Sequence, residues 1–216
     1  MSNPDSFIDE VTEELRRDRI AGYMRRYGWI AVLAVVLIVG GAAWNEWRKH
    51  QAEQSAQAFG DAVLAALEYD DPAARITALS QIEASATQQG VVNLLNAGEM
   101  LQADRPAALA ALQATAQNDA LPDAYRQLAA LTHVMAAGAD LPMQERAETL
   151  ARLAQPGQPF RPLALEQEAY LHMEQGNTER SIEILKDLLS HSDVTEALRR
   201  RASQLITALG GDPAAS

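Results

Sequence analysis

The chain has 216 residues and a formal charge of −11 at pH 7, with 29 acidic against 18 basic side chains, four histidines and no cysteine. The missing cysteines exclude a disulfide framework, a thiolate nucleophile and any Cys-based metal site. The acidity argues against nucleic acid as a partner and against attraction to anionic lipid.

The first 27 residues open with "NPDSFIDEVTEELRRDRIAGYM". Asn3 is a helix cap with Pro4 at the first helical position, where a missing N–H costs nothing. Phe7, Val11 and Leu15 recur every four residues, with acids early and arginines late, as the helix dipole favours. An amphipathic helix is expected, either against the membrane surface or a partner, or as a solubilising leader.

"RRYGWIAVLAVVLIVGGAAWNEWRKH" follows, from Arg25 to His50, and no charge falls between Gly28 and Trp44. The residues from Tyr27 to Trp47 make roughly 31 Å of helix at about 1.5 Å per residue, against a hydrocarbon core of about 30 Å. Tyr27 and Trp29 stand at one end and Trp44 and Trp47 at the other, where amphipathic rings prefer the headgroup interface. A buried core helix has no reason to carry aromatics at both ends with basic residues just beyond. A cleaved export signal begins with a short basic region and is cut close to its apolar core. Here six acidic residues precede the run, and the Ala56-Gln57-Ala58 triplet lies beyond charged Glu46, Arg48, Lys49 and Glu53. An uncleaved anchor is expected. Five arginines before the span face only Arg48 and Lys49 in the twenty residues after it. By the positive-inside bias this places the N-terminus in the cytoplasm and the rest, in a bacterium, in the periplasm. Gly40-Gly41-Ala42-Ala43 makes a smooth patch for close approach by another membrane helix.

From Asn45 onward the chain carries 13 of the basic and 23 of the acidic residues. That charge is the ordinary route to solubility, with basic or unfolded clients as the alternative use. "HQAEQSAQAFGDAVLAALEY" continues as helix, with Phe59, Val63 and Leu67 on one face. Asp71 caps the next helix, Pro72 starts it, and Ile76, Leu79 and Ile82 form its stripe. Further helices are expected over 90–103, 105–117, 123–137, 142–153, 162–175, 178–190 and 195–209, closed by Gly210-Gly211. No strand pattern occurs. Breaks near Asp104, Gly138 and Gly176 are separated by 34 and 38 residues, the spacing of stacked helical hairpins. The last pair is the clearest. Ala169 and Ser181 flank its turn as small residues that let two helices approach closely, and Leu185 and Leu188 fill the later apolar positions. Ala97 holds the matching position in the first pair and Leu131 in the second. A generic helical bundle is the bland alternative.

The layout resembles the YfgM-type ancillary subunit of the SecYEG translocon, on "AAWNEWRKHQ" after the span and "GNTERSIEIL" in the last unit. That resemblance implies an all-α chain with a cytoplasmic head over 1–27 and one transmembrane helix over 28–47. Juxtamembrane helices over 48–89 would follow, then a tetratricopeptide-like solenoid of antiparallel hairpins with a capping helix over 90–216. It implies translocon subunits, a periplasmic or membrane-anchored chaperone, exported client polypeptides and membrane lipid as partners. An accessory or assembly subunit of another inner-membrane complex, such as a respiratory one, is the second expectation.

Catalysis is not expected. His50, His133, His172 and His191 are scattered without ligand spacing, and no nucleophile elbow or phosphate-binding loop occurs. Neither a metal nor a cofactor is implied. Asp70-Asp71 reads as a helix end followed by a cap rather than a cation site. Arg199-Arg200-Arg201 reads as two solvated arginines, with Leu198, Ala202, Leu205 and Leu209 facing the core, and a small docking patch is the alternative. Met100, Met135, Met143 and Met173 read first as core, with an adaptable binding surface as the alternative. Hairpin solenoids bind in the groove lined by the first helix of each pair. Counting back from each turn puts Leu163, Glu166, Tyr170 and Met173 there, with Tyr125, Leu128, Thr132 and Met135 from the middle pair and Val91, Leu94 and Leu101 from the first. Tyr125 and Tyr170 are the expected anchors, because aromatics bury large area with a polar tip. Trp29, Gly40, Gly41, Trp44 and Trp47 are the expected contacts in and around the span.

Overall fold

The computed structural model describes the backbone of residues 4–213 and the side chains of residues 29–30 and 33–213. The expected Asn3 cap and the apolar stripe of the head lie outside those described residues. Among the described residues the chain is all-helical, with no strand, and it divides into two compact units, Met1–Ala58 and Phe59–Ser216.

Helix α1 spans Pro4–Leu67. In the first unit its apolar side chains from Leu33 to Val39 are exposed, as are Trp29, Trp44 and Trp47. Among the described residues no helix is long and apolar enough to cross a membrane; Gly28, Ala31 and Val32 of the expected span lie outside the described side chains.

The second unit takes in the end of α1, where Phe59, Val63 and Leu67 are all partly buried. Helix α2 spans Pro72–Ser80, and Asp71 caps it by accepting a hydrogen bond from the Ala74 amide at 3.1 Å. Helix α3 spans Ala86–Ala103, four residues longer than expected. Ser85 and Gln88 form a reciprocal capping box there, which satisfies two otherwise orphan amides. Helices α4 (Arg105–Ala116), α5 (Asp123–Ala137), α6 (Met143–Leu153), α7 (Arg161–Glu174), α8 (Thr178–Ser190) and α9 (Glu196–Ala208) follow within a residue or so of expectation. Asp104 ends α3 and caps α4 in one step, and Gly176, at φ 75°, turns α7 into α8 while the Asn177 amide returns to the His172 carbonyl. Such short turns fold each helix back on its predecessor.

The core consists of three clusters in sequence. Ala97, Leu112 and Ala129 join α3, α4 and α5; Leu131, Leu150, Leu153 and Leu171 join α5, α6 and α7; Leu165, Leu185, Leu188, Leu198 and Ile206 join α7, α8 and α9. Each fully buried leucine contributes roughly 2–3 kcal/mol relative to exposure. Ala169 and Ser181 have no exposed surface at the α7–α8 contact, so the close approach expected from small residues is present.

Arginines tie the ends of these helices. Arg75 donates to Glu99 on α3 at 2.7 Å and to the Tyr69 and Asp70 carbonyls beyond α1. Arg105 donates to the Ala136 and Ala137 carbonyls of α5, and Arg199 to the Leu189 and His191 carbonyls. Arg105 and Arg199 meet carbonyls at helix ends that lack an intrahelical partner, and Arg75 meets carbonyls of the turn between α1 and α2. In the Arg199–Arg201 run two arginines, Arg200 and Arg201, are exposed as expected, with Leu198 and Ala202 buried in the core; Arg199 is half-buried on the end of α8, and Arg201 also reaches Glu166 of α7.

Candidate functional site

The side chains expected to line a groove lie on α3, α5 and α7, and the structure gives them unequal surroundings. Met135 on α5 is 53% exposed and Tyr170 on α7 is 37% exposed. Leu128 and Met173 are half-buried beside them in sequence register, as are Val91, Leu94 and Leu101 on α3. Met143 is also exposed, and Gln175 donates to its sulfur at 3.1 Å. Core placement is thus overturned for Met135 and Met143, which leaves their flexible thioethers on the surface.

Two expected groove residues serve the fold instead. Tyr125 is half-buried and rests on Gly90: a Cβ at Gly90 would stand 2.7 Å from the Tyr125 ring. The ring thereby fills the gap between α3 and α5. Glu166 is 4% exposed, and both its oxygens accept from Arg201 of α9 at 2.8 Å. It is closed off by α9 and is not open to a partner. The hydrogen bond and charge of Glu166 hold the Arg201 guanidinium above its usual pKa, with a smaller contribution from Tyr170.

The opposite face of α5 lines a cleft of about 500 Å³, which the sequence did not single out. Helices α4 and α6 both pack on α5, and the cleft opens between them with Arg126, Gln127, Ala130 and His133 on its α5 side. These residues project opposite to Leu128, Thr132 and Met135 at about 100° per residue. Arg126 is held by Asp119 and Asp123. Burial lowers the pKa of His133, partly opposed by the charge of Glu145. The lining comes from separate helices, so no contiguous motif announces it.

In the first unit the Trp44 and Trp47 rings lie 5.2 Å apart at 43°, and nothing stands within 4 Å of a Cβ placed at Gly40 or Gly41. Among the described residues no group of three or more His, Cys, Asp or Glu side chains is placed to hold a metal ion. The chain matches no known protein family, no curated protein and no solved structure.

Proposed function

We propose that this chain is a single-span adaptor of the bacterial inner membrane. In this reading its N-terminus is cytoplasmic and its second unit is a tetratricopeptide-like solenoid in the periplasm. It stands beside the Sec translocon and helps hand exported polypeptides to a chaperone. The observation that carries the binding reading is the pair of exposed side chains Met135 and Tyr170 on the first helices of successive hairpins. An aromatic with a polar tip and a flexible thioether suit varied, partly unfolded segments better than one rigid partner. Anchoring is supported by the exposed apolar side chains from Leu33 to Val39 and by the absence of any charge between Trp29 and Trp44, with tryptophans bounding the run.

Photo-crosslinking in intact membranes, with probes at Gly41, Trp47 and Tyr170, tests it. Translocon subunits at the first two positions, with a chaperone or exported chains at Tyr170, are the expected adducts. Adducts confined to one other membrane assembly would replace the adaptor by an accessory subunit of that assembly. Recovery of the chain free of membranes would remove the anchor.

A further inference from the structure

The cleft between α4 and α6 carries charges that its surroundings leave unmatched. Glu145 and Arg152 both line it from α6, and both are exposed. Seven residues apart, they fall on one stripe of the helix, with Thr149 between them, at a separation of about 10 Å. Neither makes an ion pair with a described residue. Burial lowers the pKa of the nearby His133, which disfavours a cation there. Arg126, the other cation of the cleft, is already held by Asp119 and Asp123. Apart from the Asp123–Arg126 pair, the cleft thus holds one carboxylate and one guanidinium with no ion pair among the described residues, two helical turns apart on α6.

Amides fill the walls between them. Gln113 of α4 and Gln117 at its C-terminal cap line the cleft, and Gln127 lines it from α5, where its amide donates to Gln158 at 2.7 Å. A carboxamide offers both a donor and an acceptor, which is the complement of a peptide group. Ala116, Ala130 and Leu153 supply a low apolar surface beside them.

We propose that this cleft binds a short extended peptide segment with a positive group at one end and a negative group about 10 Å away. At roughly 3.3 Å per residue, that separation corresponds to about three residues of extended chain. The cation meets Glu145, the anion meets Arg152, and the glutamine side chains pair with the intervening backbone. A single amino acid, whose charges are one residue apart, is too short to reach both. Free termini of a tripeptide and Lys/Asp side chains within a longer chain present the same chemistry. The site lies on the face of α5 opposite Met135, so it stands independently of the adaptor reading.

The test is NMR titration of the isotopically labelled full chain with three probes. These are trialanine with free termini, acetyl-Lys-Ala-Ala-Asp-amide, and acetyl-Ala-Ala-Ala-amide. Saturable shifts at Gln113, Gln127 and Thr149 with a charged probe, at a Kd below about 1 mM, are expected, with no saturation by the capped neutral probe. Trialanine alone binding identifies free oligopeptides as the source; the Lys/Asp probe alone binding identifies internal segments. Arg152→Glu and Glu145→Lys, both at exposed positions, should each weaken binding about tenfold or more, while Tyr170→Ala leaves it unchanged. The double exchange Glu145→Lys/Arg152→Glu should prefer acetyl-Asp-Ala-Ala-Lys-amide. No saturable shift with either charged probe, equal binding of the neutral probe, or indifference to both charge reversals would overturn the proposal.

Discussion

Glu166 and Arg201, 35 residues apart, join α7 to α9 through two hydrogen bonds of 2.8 Å, with the carboxylate buried and the guanidinium half exposed. That asymmetry sets the cost of breaking the pair from either side. Arg201→Ala strands a buried charge and should destabilise by about 3 kcal/mol. Glu166→Gln keeps an acceptor and returns Arg201 to water, so it should cost about 1 kcal/mol. The double variant should be more stable than Arg201→Ala alone. Urea unfolding of the full chain measures all three, and equal costs for the two single changes would contradict the assigned burial.

Gly90 and Tyr125 set the spacing of α3 and α5. A methyl group at Gly90 would meet the Tyr125 Cδ2 and Cγ atoms at 2.7 Å, well inside van der Waals contact. Overpacking of this kind costs about 1–3 kcal/mol, less the roughly 1 kcal/mol that alanine gains over glycine in a helix. Gly90→Ala should therefore be neutral to moderately destabilising in the native background. In a Tyr125→Ala background the ring is gone, and the same change should become stabilising. A sign change between the two backgrounds, read from unfolding midpoints, identifies Tyr125 as a packing residue.

The helices were legible because their stops are local. Asp71-Pro72, Asp104 and Gly176 each fix a boundary by the chemistry of one or two residues, and the structure places boundaries there. The start of α3 carried a signal too, in the Ser85–Gln88 spacing, but "ATQQ" has no apolar periodicity to draw the eye. What lies over a helix face is a different kind of information. Counting from Gly176 put Glu166 on the same side as Tyr170 without revealing that α9 covers it. The arginine contacts were equally out of reach: Arg75, Arg105 and Arg199 meet carbonyls of segments that become neighbours only on folding. The cleft between α4 and α6 was illegible because its lining residues become neighbours only on folding.

Ser181 has no exposed surface, and its hydroxyl has no hydrogen-bond partner among the described residues. A buried, unpaired hydroxyl carries its desolvation cost without a compensating bond. Ser181→Ala removes that cost, keeps the small volume that α7 and α8 need, and improves helix propensity. It should stabilise the chain by about 1 kcal/mol. Ala169→Leu at the same contact should destabilise by about 1–3 kcal/mol through overpacking. Thermal or urea midpoints check both, and a loss of stability in Ser181→Ala would show that the hydroxyl is paired.

His133 gives stability a pH dependence. Burial lowers its folded pKa below the ordinary value of 6.5, so the unfolded chain binds more protons between the two values. Its contribution is fully present above about pH 6.5, falls as pH drops towards the folded pKa, and levels off below it. His133→Gln should flatten this part of the curve. Glu145 raises the His133 pKa, so Glu145→Gln should lower it further and extend the loss to more acidic pH. Unfolding free energies from about pH 5 to pH 7.5, taken as wild type minus His133→Gln to cancel the other three histidines, measure the effect. A difference that rises as pH falls would reverse the sign and place His133 against an anion rather than in a dry wall.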